Sequence, residues 1–291
     1  MSLAAVLVAV LAAANPIPAE NAQQGTIEWR GPDVHGTATQ GYASELSVAP
    51  GETIHFHVST DPPEEYHIHV FRLGWYGGLG GRQLACMPAE CGQDSYGKAY
   101  ATPSSGWLGA GWPVTDELTI PPDWPSGTYL AKFELRTGLQ EGKAAFQPFV
   151  VRPAGDRRSA ILVQVPVNTW EAYNPWGGKS LYDSNSEDGA ANRVSFERPL
   201  PRSYQPIWEW EIQLVRFLER EGYDVSYQTD LDTDRDPASL LTHGFLVVAD
   251  QDRAALLEPG ERPLDHPAAG GVALFPSRVE LLLADAADGG V

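Results

Sequence analysis

The sequence predicts an α+β chain of two domains, an N-terminal β-sandwich followed by an α/β domain built on a parallel sheet. Three observations carry that prediction. The first half is filled with short runs of alternating apolar and polar residues, separated by Gly, Pro and Asp turn signals. The polar stretch Arg152–Arg158, "RPAGDRR", then breaks the pattern. Beyond it, continuous apolar runs alternate with helix-spaced stretches, which is the grammar of β–α–β units. A length of 291 residues suits about two domains.

Leu3 to Ala14 is apolar but short for a bilayer span. It fits the core of a secretory leader with small residues Ala12 and Ala14 near the cleavage point, so residues 1–19 are expected to be a leader and the chain to be secreted or held in the cell envelope. No basic residue precedes the run, and a mis-set start codon or a buried strand is the alternative. The β-sandwich is expected over residues 20–152. In "GETIHFHVST", Ile54, Phe56 and Val58 share one face, with His55 and His57 on the other. In "EYHIHVFRL", Tyr66, Ile68 and Val70 oppose His67 and His69. The intervening "TDPPEE" reads as a turn, so the two runs are predicted to form a hairpin. "DELTI", "GTYLAKFEL" and "AAFQPFVV" supply further strands.

The α/β domain is expected from residue 158 to 291. "AILVQVPV" is apolar throughout, as a strand covered on both faces must be. Trp210, Leu214, Phe217 and Leu218 fall at helical spacing, and Gly222 ends the helix. "YDVSY", a short helix "DPASLLTH" and the strand "GFLVVA" follow. Sites in such sheets form beyond the carboxyl ends of the strands. "NTWEAYNPWGGKSLYD" begins where the first of these strands stops, and "DQDR" where the third stops.

The formal net charge of -18 argues against nucleic acid and anionic membranes as partners, since both need clustered Lys and Arg. The only two cysteines, Cys86 and Cys91, read as a short disulfide loop or as two free thiols; their spacing is not Cys-x-x-Cys and no second pair exists, so a zinc site is not expected. The four histidines could converge on a metal, but solvated side chains on the polar face of a hairpin are the preferred reading. "LGWYGGLGGR" lacks the spacing of a phosphate-binding loop and reads as a tight aromatic turn. No Gly-x-Ser-x-Gly or His-Glu-x-x-His occurs, and the second domain has no cysteine nucleophile. Tyr173, Asn174, Lys179 and Tyr182 sit with Gly177 and Gly178 in one strand-end loop. That loop is either an active-site floor or a Tyr and Trp turn packed against the other domain.

Five stretches in order carry a resemblance: "GYASELSVAPGETIHFHVSTD", "VFRLGWYGGLGGR", "VQVPVNTWEAYNPWGGKSLYDSNS", "RVSFERP" and "VRFLEREGYDVSYQTDLD". Together they resemble the N,N-dimethylformamidase large-subunit-like proteins, over about Glu20 to Ala249. The resemblance implies that the α/β domain has the shape of a class I glutamine amidotransferase. It also implies hydrolysis of small amides or related C–N bonds at a mononuclear iron held by two tyrosines and a glutamate, iron acting as Lewis acid. Tyr173 matches one tyrosine, and Tyr129 in "SGTYLAKF" matches the other more loosely. Asn174 and Lys179 would orient substrate or stabilise an oxyanion. The family glutamate lies in a Gly-His-Asp-Glu-Tyr-Trp motif after the third strand. Here Gln251 stands at the histidine position and Arg253 at the glutamate position, and an arginine has no lone pair for a metal. Asp252 is the nearest carboxylate and the substitute ligand.

Nothing after Ala249 resembles the family, so the second domain is expected to be truncated or diverged from about residue 249, and the chain inactive if the carboxylate is lost. The sequence leaves open a homo-oligomer or a small partner subunit. The competing reading is an exported binding module, with Trp75, Trp107, Trp112 and Trp124 as a platform for a sugar or a protein partner.

Overall fold

The computed structural model describes residues 15–155, 157, 159–201, 206–208, 211–250 and 271–276. In chain order its elements are α1 (Ile17–Asn21), β1 (Thr39–Ala43), β2 (Ser47–Val48), β3 (Thr53–Thr60), β4 (Glu65–Leu73), β5 (Gly81–Met87), β6 (Ser95–Tyr96), β7 (Asp116–Thr119), β8 (Gly127–Leu135) and β9 (Ala144–Val151). Then follow β10 (Ile161–Val165), α2 (Val167–Tyr173), α3 (Glu211–Arg220), β11 (Val225–Thr229), α4 (Asp230–Arg235), β12 (Phe245–Asp250) and β13 (Gly271–Pro276). The chain is thus mixed α and β, rich in strands and poor in helix.

The strands form a three-stranded sheet in the order β1-β3-β7, a six-stranded sheet β2-β9-β8-β4-β5 with β6 added to β4, and a four-stranded sheet β11-β10-β12-β13. The predicted hairpin between β3 and β4 does not exist. β3 pairs with β1 and β7, whereas β4 pairs with β5, β6 and β8. The reason lies in Pro62 and Pro63, which offer no N–H to continue a ladder, and in the apolar faces themselves. Ile54, Phe56 and Val58 of one sheet meet Tyr66, Ile68 and Val70 of the other in a single buried cluster. Each strand buries its face better across this core than beside its neighbour.

The histidines therefore point outward from two different sheets, and two of them are not solvated. His57 is 7% exposed and His67 6%. His57 stacks on Tyr42 with ring centroids 4.4 Å apart, and its Nδ1 lies 2.8 Å from the Trp112 carbonyl oxygen. Alternation gave the outward direction correctly, but not the irregular segments that fold over the outer faces.

In the four-stranded sheet, β10 lies between the parallel neighbours β11 and β12, and β13 runs antiparallel at the edge. Leu162, Val163 and Val165 are buried, as their apolar run requires. Helix α3 turns Ile212, Val215 and Leu218 inward, whereas Phe217 is 47% exposed and leans on Tyr223. Trp210 lies outside the described residues. One cluster joins Phe71, Leu73, Leu130, Phe146 and Val150 from the first half to Val163, Trp170, Val215 and Tyr227 from the second. Ile17 of α1 belongs to it, and Asn15 donates from Nδ2 to the Gly222 carbonyl at 2.9 Å. A leader ending at residue 19 would remove Ile17 from that core.

A buried polar brace crosses the same seam. Arg72 donates through Nη1 and Nη2 to both Glu219 carboxylate oxygens, at 2.9 and 2.8 Å. Glu219 also accepts from Tyr227 at 2.9 Å and from Asn21 at 2.7 Å. The "GWYGG" turn is fastened here, since Tyr76 donates to Glu20 at 2.6 Å and accepts from Arg72 at 3.1 Å. Among the described residues, no helix is long and apolar enough to cross a membrane.

Candidate functional site

The site is built where β10 ends. The chain passes from β10 to β11 on one side and then crosses from β11 to β12 on the other, so the strand order reverses at β10, the place where sheets of this kind bind ligands. Pro166 closes the strand and α2 starts at once. The Asn168 N–H donates to Asp230 Oδ2 at 3.0 Å, tying the start of α2 to the residue that follows β11.

Arg198 holds the loop after α2. It is fully buried, and its fork reaches the carbonyl oxygens of Glu171 (3.0 Å), Asn174 (3.1 Å), Trp176 (3.2 Å) and Lys179 (3.2 Å). Its Nε donates to the Ser195 carbonyl at 2.7 Å, and Nη2 also meets Glu171 Oε2 at 3.2 Å. One rigid guanidinium thus joins a run of carbonyls at and beyond the end of α2, of which that of Glu171 also accepts from the Asn174 N–H. Burial pushes the Glu171 carboxyl up to about 7, against the pull of Arg198 and of Asn174. Burial likewise lowers the Arg198 guanidinium from its ordinary value. Neither residue figured in the sequence expectation. The available signal was a charge set among bulky apolar side chains, Glu171 beside Trp170 in "VNTWEAY" and Arg198 between Phe196 and Leu200 in "SFERPLP".

Asn174, expected to orient substrate, is itself buried and committed to the loop. Its Nδ2 donates to Glu171 Oε2 at 3.0 Å and to the Pro199 carbonyl at 3.1 Å, and its Oδ1 accepts from the Trp176 N–H at 3.0 Å. It braces the floor. Lys179 Nζ donates to the carbonyls of Asp188 (3.2 Å) and Gly189 (3.1 Å), which leaves one of its three N–H donors for another acceptor. Tyr173 ends α2, half-buried, with its ring stacked on Tyr182 at 4.1 Å between centroids.

Tyr129 has a different setting. It is fully buried between the three- and six-stranded sheets, stacked on Trp124, and its hydroxyl donates to the Pro125 carbonyl at 2.7 Å. Burial raises its phenol well above the ordinary value. Asp252 lies outside the described residues, as do Gln251 and Arg253.

The loop is also packed against the first half of the chain. Trp176 meets Trp112 edge to face at 5.6 Å. Gly177, at φ +79°, sits so close to residues 106–107 that a Cβ would lie 2.5 Å from the Trp107 nitrogen. A cleft beside Trp176 is lined by Thr39, Gln40, Phe146, Pro199 and Leu200. Neither Tyr129, Tyr173, Asn174 nor Lys179 lines it. Of the four tryptophans weighed as a binding platform, Trp112 and Trp124 are buried in the fold, at 5% and 8% exposure. Trp75 is covered by Arg216 and Arg220, at 5.4 and 5.7 Å from its ring centroid.

A family model described as N,N-dimethylformamidase beta subunit-like, C-terminal, matches residues 67–249. It spans β4 to β12 and therefore the whole strand-end loop. No curated protein matches the chain.

Proposed function

The chain belongs to the N,N-dimethylformamidase beta subunit-like family, and on that premise we propose that it is a hydrolase of small amides or related C–N bonds, with residues 168–185 as the floor of its site. The same reading takes the first half as a β-sandwich and the second as an amidotransferase-like α/β unit. The observation that carries it is the Arg198 hub, which spends a buried cation on fixing one strand-end loop inside the matched region. A surface connector has no use for that fixation.

In this reading Tyr173 and Lys179 face the substrate. The remaining ammonium donor of Lys179 stabilises negative charge developing on an amide oxygen. Glu171, Asn174 and Arg198 act as positioning residues, because their polar atoms are used inside the loop. The family reading carries iron as the cofactor, which would polarise the amide carbonyl, with Tyr129, Tyr173 and Asp252 as ligands. Tyr173 suits that role by its position at the strand end. Tyr129 as found does not. To ligate, it would have to give up the Pro125 carbonyl and ionise within an apolar cluster that opposes ionisation. No step is therefore routed through iron here.

The test is amine release from a panel of small N-alkyl formamides and acetamides, with metal content measured on the same preparation. Tyr173→Phe is expected to abolish any amine release and any iron-linked visible absorbance. Tyr129→Phe is expected to leave the absorbance in place and to cost about 1 kcal/mol of stability for the lost hydrogen bond. Iron bound equally by wild type and Tyr173→Phe would sink the role given to Tyr173. No amine release from any amide, with iron supplied, would sink the hydrolase reading.

A further inference from the structure

A second cluster of ligating side chains stands apart from the strand-end loop. His69 on β4 lies directly across the antiparallel pair from Cys86 on β5. His67, two residues earlier, shares its face of the strand. After Pro88 the chain turns through Ala89, Glu90 and Cys91, with φ of 45°, 55° and 62°. Three side-chain-bearing residues in the left-handed region bring Cys91 back onto the strand, where it forms a disulfide with Cys86. Two imidazoles and two sulfurs thereby converge, and one ligand atom from each of the four lies within 4.8 Å of the others.

The histidines add nothing that a disulfide needs. His69 Nδ1 is 3.1 Å from Cys86 Sγ, and its Nε2 is buried without a hydrogen-bond partner. His67 Nε2 lies 2.6 Å from Asp94 Oδ1, but not in hydrogen-bond geometry; a small turn of the ring would let that carboxylate orient a ligating imidazole. The charged neighbours of His69 are Lys132, Glu134 and Arg136 from β8 and the turn after it. Lys132 is already paired with Glu134, and Arg136 with Glu134. The Cα atoms of Cys86 and Cys91 are 5.2 Å apart, ordinary for a disulfide.

We propose that the reduced chain holds one zinc ion on His67, His69, Cys86 and Cys91, and that the disulfide is the metal-free, oxidised form of the same site. Two nitrogens and two thiolates in a closed, four-coordinate set suit zinc, whereas the set offers none of the hard oxygens that favour iron. The interconversion balances with a phosphine as reductant. The phosphine and one water give phosphine oxide, two electrons break the Sγ–Sγ bond, and two thiols result. Zinc then displaces both thiol protons, because thiolate is the ligating form. In either state the turn at residues 88–91 is pinned to β5, the edge of the six-stranded sheet. Covalent linkage does so under oxidising conditions and a metal under reducing ones. The site shares no residue with the proposed hydrolase floor and stands without it.

The test uses the full chain, reduced with phosphine under argon and titrated with cobalt(II), a visible probe for zinc sites. One cobalt per chain is expected, with a thiolate-to-cobalt charge-transfer band that one equivalent of zinc bleaches. The oxidised chain should give no such band, and Tyr173→Phe should give the full band, which separates this site from the strand-end loop. Asp94→Asn should weaken binding about 10–100-fold through His67, and His69→Gln should remove the four-coordinate spectrum. A reduced chain that gives no thiolate-to-cobalt band, folded or not, overturns the proposal. So does a band of unchanged position and affinity in His69→Gln. Because the decisive comparison is between two redox states of the unsubstituted chain, a variant that fails to fold does not rescue the idea.

Discussion

Replacing Glu171 by Gln is expected to stabilise the protein at neutral to alkaline pH, although it removes the carboxylate of a buried ion pair. Burial raises the Glu171 carboxyl from an ordinary 4.5 to about 7. Between those values the folded chain keeps a proton that the unfolded chain has lost. Stability on this group's account is therefore fully present below 4.5 and falls as pH rises through about 7. Each unit is worth about 1.4 kcal/mol, so the loss approaches about 3 kcal/mol. Gln carries no proton to lose. Its amide oxygen can take the place of Oε2, the atom that accepts from both Asn174 and Arg198. Urea unfolding followed by tryptophan fluorescence should give wild type and Glu171→Gln nearly equal stability at about pH 4. At about pH 8 the variant should lead by as much as about 3 kcal/mol, since desolvating the pair costs more than its attraction returns. The refuting result is a variant that is less stable by about 3–5 kcal/mol at the higher pH, the cost of leaving a buried guanidinium alone. That outcome would mean that Arg198 outweighs burial and holds the Glu171 carboxyl below its ordinary value.

Arg72→Met should cost about 3–5 kcal/mol in thermal or urea unfolding, because it strands Glu219 inside the seam. Adding Glu219→Leu should recover part of it, with about 1–3 kcal/mol still missing for the Tyr227 and Asn21 donors left unpaired. A double variant no better than the single one would show that the carboxylate is not the source of the cost. Gly177→Ala should destabilise by at least about 1–2 kcal/mol for its left-handed backbone, with the contact against Trp107 added. The same variant should shift the emission of Trp107 and Trp176, and an unchanged spectrum with unchanged stability would contradict the close packing described here.

How far the fold can be read from the sequence depends on whether a feature is local. β10 was legible because every apolar side chain in "AILVQV" needs cover, and a strand between two parallel neighbours supplies it. The faces of β3 and β4 were legible as well, but their pairing was not. Alternation states which residues are buried and is silent on whether the burial is beside a strand or across a core. The Glu171–Arg198 pair spans 27 positions, and each charge taken alone reads as a solvated surface group. Asn174 and Lys179 stand out in the sequence because polar groups cluster there in a glycine-bearing loop. What the sequence could not say is that the Asn174 amide would be consumed within the loop. Tyr129 enters the ligand set by resemblance alone, whereas its alternating strand "GTYLAKFEL" puts it on the same face as Ala131 and Phe133, the face that is buried.

The strand-end loop is not the property of the parallel-sheet half alone. Residues 106–112 of the first half form its other wall. The Ser195 N–H donates to the Trp107 carbonyl at 2.9 Å, and the Ala110 N–H to the Glu197 carbonyl at 2.8 Å. These bonds hold the segment that carries Arg198, and Arg198 in turn fixes the carbonyls from Glu171 to Lys179. The chain of causes runs from the first half, through Ser195 and Glu197, to the position of Tyr173. Excising residues 158–250 would remove Trp107, Trp112 and the hydrogen bonds at Trp107 and Ala110 together. The isolated piece should then lose the loop geometry even if its strands still pair. A floor built across two halves of one chain is fixed only when both are folded. That is why the polar break at Arg152–Arg158, obvious in the sequence, marks a change of architecture and not a boundary of the site.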